Sequence, residues 1–352
     1  MSHTAHIRVW PQAVAANFAT MRRVGGKAAA VVKADAYGTG LGGIVPALLA
    51  QGCETFFVAR LEEGIALRTL APQARIFVLD GAAGDTIAAL MAHNLMPVLS
   101  SLAQITAWQQ ARGGAAALHV DTGMNRLGLP MEEVSQVAFT PALVMSHLAC
   151  GDDPASAMNA VQLAKFRAAL AQLPPVSASL AASGGVFLGK NYHFDLVRPG
   201  IGLYGGHPQP GHGDNPMQCA VQLAGTVLQL RKIAAGQTVG YGATFQAASP
   251  RTIATIALGY ADGVLRSAGN RAPIVIKGQR AALAGRVSMD LITADVTGLD
   301  VAVGDAAELF GPALSVDEAA AGWGTISYEL LTGLSRRIPR IYRSAGESLS
   351  DN

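Results

Sequence analysis

The sequence has few charged residues and almost no excess of either sign. Asp, Glu, Lys and Arg make up 14% of the 352 residues, and the formal net charge is +2. Because the basic residues are scattered rather than clustered, the chain lacks the electrostatic footprint of a protein that binds nucleic acid or an anionic membrane surface. We therefore expect neither as a partner.

Long apolar runs and a secretion signal are also missing. No stretch reaches the ~18 apolar residues that a membrane span needs, and the first 18 residues have no basic segment followed by an apolar run. Cys53, Cys150 and Cys219 are odd in number and form no C-x-x-C pair, which is typical of reduced thiols. These features predict a cytoplasmic protein.

Candidate metal ligands are sparse. The histidine pairs His3/His6 and His207/His212 lie near the N-terminus and in a Gly/Pro-rich segment, without accompanying carboxylates or thiolates in a ligand pattern. We therefore predict no metal site.

What the sequence does contain is a recurring strand signal. Helical patterns such as residues 61–71 and 159–173 separate many of the signals, and this alternation predicts parallel strands. Eight such units are typical of a (β/α)8 barrel, although a doubly wound open sheet is an alternative. The short apolar, β-rich runs are residues 28–33, 55–60, 75–80, 95–100, 117–122, 143–147, 176–183 and 192–199.

The pattern changes after a Gly/Pro-rich segment at residues 205–216, which we interpret as a linker. Beyond it the helical periodicity largely disappears and strand signals dominate. Because 352 residues exceed the usual size of a single core, a second domain is expected. The prediction is an α/β protein with an N-terminal (β/α)8 barrel, residues 1–216, and a C-terminal mainly-β domain, residues 217–352.

Lys33 is one of only six lysines and directly follows the first apolar strand. In parallel barrels, active-site residues collect at the carboxyl ends of the strands. Apolar surroundings lower the pKa of a lysine, and imine chemistry needs the neutral amine. The alternative is an ordinary strand-end lysine that extends to solvent.

Gly38, Gly40 and Gly43 match the G-x-G-x-x-G pattern of dinucleotide-binding proteins. The match is weak, because five residues separate the strand from the glycines and no suitable acidic residue follows ~20 positions later. We interpret the glycines as a tight turn into the first barrel helix.

Other polar side chains follow later strands of the predicted barrel. Arg126, His147, Ser183 and Arg198 come after the fifth, sixth, seventh and eighth strands, so they should meet Lys33 at one mouth of the barrel. Next to Arg198, the backbone N–H groups of Gly200 and Ile201 suit an anion. The sequence therefore predicts a site for a phosphate-bearing ligand.

Seven motifs together resemble the alanine racemase family, in order and approximate spacing, over nearly the whole chain. The motifs are VVKADAYGTG, DTGMNRLG, SHLACGD, VRPGIGLYG, GYADG, GRVSMD and ISYELLTGLSRRIPR. The resemblance implies an isomerase that interconverts L-alanine and D-alanine with pyridoxal 5'-phosphate and supplies D-alanine for peptidoglycan. It also implies a homodimer whose active sites are shared between subunits.

The resemblance further implies roles for individual residues. Lys33 forms a Schiff base with the cofactor and exchanges the α-proton on one face, while Tyr260 of the partner serves the other face. The remaining implied contacts are Tyr37, Ser183, Gly200 and Ile201 to the phosphate, Arg198 to the pyridine nitrogen, His147 beside the ring as a link between Arg198 and Tyr260, Arg126 and the Met289 N–H to the substrate carboxylate, and Asp152 and Arg286 at the entrance or in the surrounding hydrogen-bond network.

The chain departs from the family pattern at four positions. His119 replaces a lysine that many relatives carbamylate to orient the arginine matched by Arg126, so another group must take that task. Arg336 stands at the position of a second active-site tyrosine in some relatives. We therefore expect Tyr260 to be held differently, with Arg336 helping to tune its pKa. Ala182 and Asp35 replace asparagines.

Several alternatives remain open at this level. A serine or broad-specificity racemase would share the cofactor motifs, and a non-catalytic pyridoxal-phosphate carrier would share the barrel and the lysine. A related barrel decarboxylase typically places an acidic residue where Arg198 stands. An aldolase-like imine enzyme would use Lys33 without a cofactor. Asp121 and Asp262 are interpreted as structural partners within their turns rather than as acid/base groups.

Overall fold

A computed structural model describes residues 4–343, which form a parallel sheet and a second, mostly antiparallel sheet. None of the helices in this range is both long and apolar enough to cross a membrane. The strands are β1 (Ala5–Val9), β2 (Ala30–Val31), β3 (Thr55–Val58), β4 (Arg75–Val78), β5 (Met96–Leu99), β6 (Ala117–His119), β7 (Leu143–Met145), β8 (Ala178–Ser179), β9 (Val221–Ile233), β10 (Thr238–Val239), β11 (Phe245–Gln246), β12 (Arg251–Ile256), β13 (Pro273–Ile276), β14 (Gln279–Leu283), β15 (Ile292–Asp295), β16 (Ala306–Phe310) and β17 (Arg340–Tyr342). The helices are α1 (Pro11–Gly25), α2 (Lys33–Tyr37), α3 (Leu41–Ala50), α4 (Leu61–Leu70), α5 (Thr86–Ala92), α6 (Leu102–Gln110), α7 (Met158–Leu170), α8 (Ser183–Val186), α9 (Val316–Trp323) and α10 (Ser327–Thr332).

The parallel sheet curls into a barrel. Strands β2 to β8 follow one another in chain order, and each pairs in parallel with the next. The eighth predicted strand is reduced to bridges: Val197 pairs with Ala28 beside β2, and Arg198 pairs with Ala182 beside β8. The Val197 N–H donates to the carbonyl of Lys27 at 2.9 Å, so this segment closes the gap between the first and last strands.

Apolar side chains on both faces of the strands explain why the barrel forms. All four residues of β3 are buried, and Phe57 stacks on Phe77 of β4 with ring centroids 4.8 Å apart. Strands that are covered on both faces carry continuous apolar runs, which is the pattern seen in the sequence. The helices predicted at 61–71 and 159–173 are α4 and α7. The predicted fold class is confirmed.

The second sheet has eight strands in the order β12-β15-β14-β13-β16-β9-β1-β17. The long strand β9 is central, pairing antiparallel with β1, β12 and β16. Two short helices, α9 and α10, interrupt the β pattern that the sequence predicts for this region.

Strand β1 belongs to the second sheet although it precedes the barrel in the chain. Ile7 pairs with Leu223 of β9 and with Arg340 of β17. The predicted barrel domain, residues 1–216, includes β1. In the structure, β1 forms its strand pairings with β9 and β17 of the second sheet. The ends of the two predicted domains, residues 1–3 with His3 and residues 344–352, lie outside the described residues.

The segment after Lys33 has an unusual backbone. Ala34, Asp35, Ala36 and Tyr37 have φ values of 54°, 55°, 53° and 54°, so α2 contains a left-handed turn. Left-handed helical geometry costs roughly 1–2 kcal/mol per residue for L-amino acids, so other contacts must hold the turn. Gly38 and Gly40 then adopt φ values of 76° and 94°, and α3 begins at Leu41, as expected for glycines that turn the chain into the first barrel helix.

Two neighbouring glycines in α3 provide a test of how the barrel packs on the second sheet. A Cβ at Gly43 would overlap the ring of Tyr342 in β17, whereas a Cβ at Gly42 would meet nothing within 4 Å. We expect Gly43→Ala to lower the free energy of unfolding by about 1–3 kcal/mol through overpacking. The matched control Gly42→Ala should raise it by about 0.5–1 kcal/mol, because alanine loses less backbone entropy. Urea denaturation measures both, and equal effects would contradict this packing.

Candidate active site

A cavity of about 480 Å³ opens at the carboxyl ends of the barrel strands. Its walls bring together most of the residues that the sequence singles out, including five basic side chains. The predicted residues that line it are Lys33, Tyr37, His119, Arg126, His147, Asp152, Ala182, Ser183, Arg198, Gly200 and Ile201.

Lys33 enters the cavity from the end of β2. Burial and the nearby Arg126 guanidinium lower the pKa of the Lys33 amine, while Glu63 and Asp80 partly oppose the shift. Compared with a free lysine, whose pKa is about 10.4, Lys33 therefore has a larger neutral fraction near pH 7. A neutral amine can attack a carbonyl or accept a proton.

Backbone N–H groups and hydroxyls converge at one wall of the cavity. The Ser183 Oγ accepts hydrogen bonds from the N–H groups of Gly200 and Gly202, at 2.9 and 3.2 Å. Residue 200 must be small, because a Cβ there would collide with the Tyr37 hydroxyl. Burial raises the pKa of Tyr37 above its ordinary value, so this phenol stays protonated and can donate. The wall therefore offers the Ser183 and Tyr37 hydroxyls as donors suited to an anion.

Arg198 lines the cavity and is only 3% exposed. Its Nη2 donates to the carbonyl of Ser146 at 2.6 Å, and its Nη1 donates to the Ser179 hydroxyl. Its Nε has no hydrogen bond within residues 4–343. Burial lowers the pKa of Arg198 to about 9, so the guanidinium remains charged at neutral pH and offers a donor to the cavity.

Two histidines beside Arg198 are kept neutral. Burial is the main cause, and the charge of Arg198 adds to it, lowering the pKa of His147 to about 3 and that of His119 to about 4. In this structure, Arg198 acts on His147 through its charge. Neither ring adds positive charge to the cavity at neutral pH.

Arg126 sits on an exposed loop after β6 that Asp121 organises. The Asp121 carboxylate accepts hydrogen bonds from the N–H groups of Gly123, Met124 and Asn125, at 2.8, 2.9 and 3.0 Å. This agrees with the prediction that Asp121 is a structural partner. The loop carries Arg126 to the rim of the cavity.

Tyr260 and Met289 do not line the cavity of their own chain. They are 44% and 53% exposed on the second sheet domain and adjacent to each other, since the Ala261 N–H donates to the Met289 carbonyl at 3.0 Å. Asp262 fixes this turn: its carboxylate accepts from the Gly259 N–H at 2.9 Å and from Arg337 at 2.6 Å. Tyr260 and Met289 thus form an outward-facing pair.

Some residues of the cavity were missed by the sequence reasoning. Tyr328 and Ile326, at the start of α10, reach the barrel mouth, and the Tyr328 ring lies 6.1 Å from that of Tyr37. Tyr328 is part of the ISYELLTG motif, so the signal was present although no role was attached to it. Arg336 instead lines a separate cavity of about 400 Å³ beside Asp35.

Arg286 also lies away from the barrel cavity. It is exposed in the turn between β14 and β15, where a side chain at Gly242 would collide with its guanidinium. Its predicted place at a substrate entrance therefore depends, like that of Tyr260, on a neighbouring subunit.

A lysine amine, an anion-binding wall and a buried guanidinium in one barrel cavity define an enzyme class that works through an imine. The sequence profile described as alanine racemase, N-terminal domain, matches residues 9–208, and that of the C-terminal domain matches residues 220–342. The chain is 48% identical over 364 aligned positions to an alanine racemase of Rhodospirillum rubrum, covering 98% of this chain and 97% of the relative.

Solved structures give the same result. The alanine racemase of Bartonella henselae with covalently bound pyridoxal phosphate matches with a TM-score of 0.92 and 38% identity, over 97% of this chain and 100% of that one. The biosynthetic alanine racemase of Pseudomonas aeruginosa matches with a TM-score of 0.92 and 36% identity, over the same shares of the two chains. The chain belongs to the alanine racemase family.

The low pKa values of His119 and His147 predict how stability changes with pH. In the unfolded chain both rings bind protons near pH 6.5, whereas in the folded chain they do so only near pH 4 and 3. The unfolded state therefore binds more protons below pH 6.5, and the free energy of unfolding should fall as the pH drops from about 6.5 to 4. Nitrogen-15 NMR should show both rings neutral at pH 5, with free histidine as the reference. Titration of either ring above pH 6 would contradict the described burial.

Proposed function

We propose that the protein is an alanine racemase that interconverts L-alanine and D-alanine with Lys33 and Tyr260 as its two acid/base groups. The observation that carries this proposal is the division of the site. The Lys33 amine lies in the cavity beside the anion-binding wall, while Tyr260 is displayed outward, available to a neighbour. The product D-alanine would serve peptidoglycan synthesis.

The residues of the cavity fit pyridoxal 5'-phosphate, the cofactor of the family. We assign the Ser183 hydroxyl, the Tyr37 phenol and the Gly200 backbone to the phosphate; the N–H groups of Gly200 and Gly202 hold the Ser183 Oγ, and a side chain at residue 200 would fill this wall. We also assign the Ile201 backbone to the phosphate. His147 would lie beside the cofactor ring, and the Nε–H of Arg198 would donate to the pyridine nitrogen. When bound, the cofactor withdraws electrons from the substrate α-carbon and so makes its proton removable.

Lys33 and Tyr260 then divide the proton transfers. Racemisation requires that a proton leaves one face of the α-carbon and that another arrives on the opposite face, so two opposed groups suit the reaction better than one. The Lys33 Nζ accepts or returns the proton on one face, helped by its lowered pKa. The Tyr260 Oη does the same on the other face.

Arg198 is suited to its position because a guanidinium can only donate hydrogen bonds. Three carbonyl or hydroxyl oxygens, those of Ser146, Ser179 and Leu180, hold its two Nη atoms and thereby set the direction of Nε. It therefore pairs with an acceptor and gives no proton to it at neutral pH. We assign the substrate carboxylate to Arg126 and to the Met289 N–H of the partner subunit.

We further propose a homodimer in which each chain supplies Tyr260 and Met289 to its partner's cavity. Support comes from the exposure of this pair on the second sheet domain, away from the chain's own cavity. We place the enzyme in the cytoplasm, where the free thiols of Cys53, Cys150 and Cys219 suit a reducing environment.

The two-base assignment is tested with Lys33→Ala and Tyr260→Phe. Racemisation of L-alanine should be abolished in the first variant and reduced by about 10²–10⁴-fold in the second, which is the usual contribution of a general acid/base. Tyr260→Phe should keep the visible absorbance of the bound cofactor, because its cavity is intact. Tyr192→Phe, a tyrosine outside the cavity, is the matched control. Full alanine turnover in either active-site variant would refute the assignment.

Sharing of the site is tested by mixing the two variants after separating their subunits. A hybrid dimer contains one site with both defects and one site with neither, so random pairing should restore about one quarter of the parent activity. Each variant treated alone should keep only its own residual activity. A mixture that forms dimers but stays inactive would show that Lys33 and Tyr260 act within one chain.

A further inference from the structure

The left-handed turn that follows Lys33 is held at both ends by charged side chains from elsewhere in the chain. At its start, the Glu63 Oε1 accepts a hydrogen bond from the Ala34 N–H at 2.6 Å. At its end, the Arg340 guanidinium donates twice to the Gly38 carbonyl, at 3.2 and 3.0 Å. The first of these contacts is made by the residue next to Lys33.

The carboxylate of Glu63 joins three parts of the barrel mouth. While Oε1 accepts from Ala34, Oε2 accepts from the N–H groups of Ala59 and Arg60, at 2.8 and 3.1 Å. Ala59 and Arg60 connect β3 to α4. The position of the Ala34 peptide is therefore fixed relative to the neighbouring strand by a single side chain.

A contact of this kind is required because the backbone it holds is unfavourable by itself. Ala34 has a φ of 54°, and the next three residues are also left-handed. Without an external acceptor for its N–H, Ala34 would lower its conformational energy by returning to negative φ. This change would move the Lys33 amine. A displacement of about 1 Å in a reacting group can lower a rate by as much as 10²-fold.

We propose that Glu63 is a positioning residue for the reaction, which holds the Lys33 amine in place through the Ala34 N–H. Glu63 touches neither substrate nor cofactor in this proposal, and the proposal rests on the function proposed above. Its charge also favours the protonated form of Lys33, opposing the effect of burial on the pKa.

The diagnostic variant is Glu63→Gln. Both carboxylate oxygens accept hydrogen bonds from backbone N–H groups, so an amide would place its NH₂ group against a donor on one side. Glu62→Gln is the matched control, since it removes the same charge at the adjacent position. Glu62 is exposed, and its side chain makes no hydrogen bond in the part of the chain that the structure describes.

The first measurement is amide hydrogen exchange in the full chain, followed by mass spectrometry. Glu63→Gln should speed exchange in the peptide that spans residues 34–38 by about tenfold, while exchange in β9 should stay unchanged. A purely structural role would instead speed exchange throughout the barrel. Unchanged exchange at 34–38 would overturn the proposal.

The second measurement is alanine kinetics. In Glu63→Gln, kcat should fall by about tenfold and KM for alanine should stay within about twofold, because Arg126 keeps its place. Glu62→Gln should match the parent. An equal loss in both variants, or a rise in KM alone, would contradict positioning. Since exchange does not require turnover, a parent without racemase activity would refute the proposed function and leave the exchange result intact.

A rescue separates strain from simple loss of a contact. Glycine adopts positive φ without steric cost, so Ala34→Gly in the Glu63→Gln background should recover part of the lost kcat, by about threefold. No recovery would mean that the strained backbone is not what Glu63 restrains.

Should Glu63→Gln fail to fold, Glu63→Asp takes its place. Aspartate keeps the charge near the Arg60 N–H but is one methylene too short to reach Ala34 as well. Glu63→Asp should therefore also speed hydrogen exchange at residues 34–38.

Discussion

The guanidinium of Arg340 ties the active-site turn to the second sheet. It donates to the Gly38 carbonyl of the turn and also to the carbonyls of Leu334, Ser335 and Ile338. In the same strand, the Tyr342 hydroxyl donates to the Thr39 carbonyl at 3.0 Å. Since these contacts cross from β17 to the residues after Lys33, the catalytic end of the barrel depends on the other sheet for its shape.

The positive charge in the cavity is concentrated on side chains that a bound anionic ligand can contact. Arg198 remains charged in the wall of the cavity at neutral pH. Burial keeps His119 and His147 neutral, and the positive charge of Arg198 adds to this effect. The neutral fraction of Lys33 is raised by burial and by Arg126. Two guanidinium groups, those of Arg126 and Arg198, therefore line the cavity, while the two histidines stay uncharged at neutral pH. This arrangement suits a ligand that carries a phosphate and a carboxylate.

The sequence was sufficient to predict which residues share the barrel mouth, because strand ends are local features. Lys33, His147, Ser183 and Arg198 each follow a recognisable apolar run, and parallel strands bring such ends to one side. The closing segment was predicted as a full strand, but it forms only bridges around Val197 and Arg198.

Features that depend on distant contacts were not predictable in this way. Ala and Tyr have no preference for positive φ, and Asp adopts it only as an isolated residue, so no local pattern reveals the left-handed turn at residues 34–37. External hydrogen bonds hold this turn. The place of Tyr328 in the cavity follows from the packing of α10 against Tyr37. The pairing of β1 with β9 and β17 is not predictable for the same reason, nor are the contacts of Glu63 and Arg340 with the turn.

The position of β1 also bears on the order in which the protein can fold during synthesis. The side chain of Arg8 bonds to Gln222, which lies 214 positions later in the chain. While the ribosome makes the barrel, whose parallel strands pair with near neighbours in sequence, β1 has no sheet to join. Pairings of such separation are slow to form and leave strand edges exposed in the meantime. β1 therefore cannot form its native pairings until β9 has emerged, so the second sheet is completed late in synthesis.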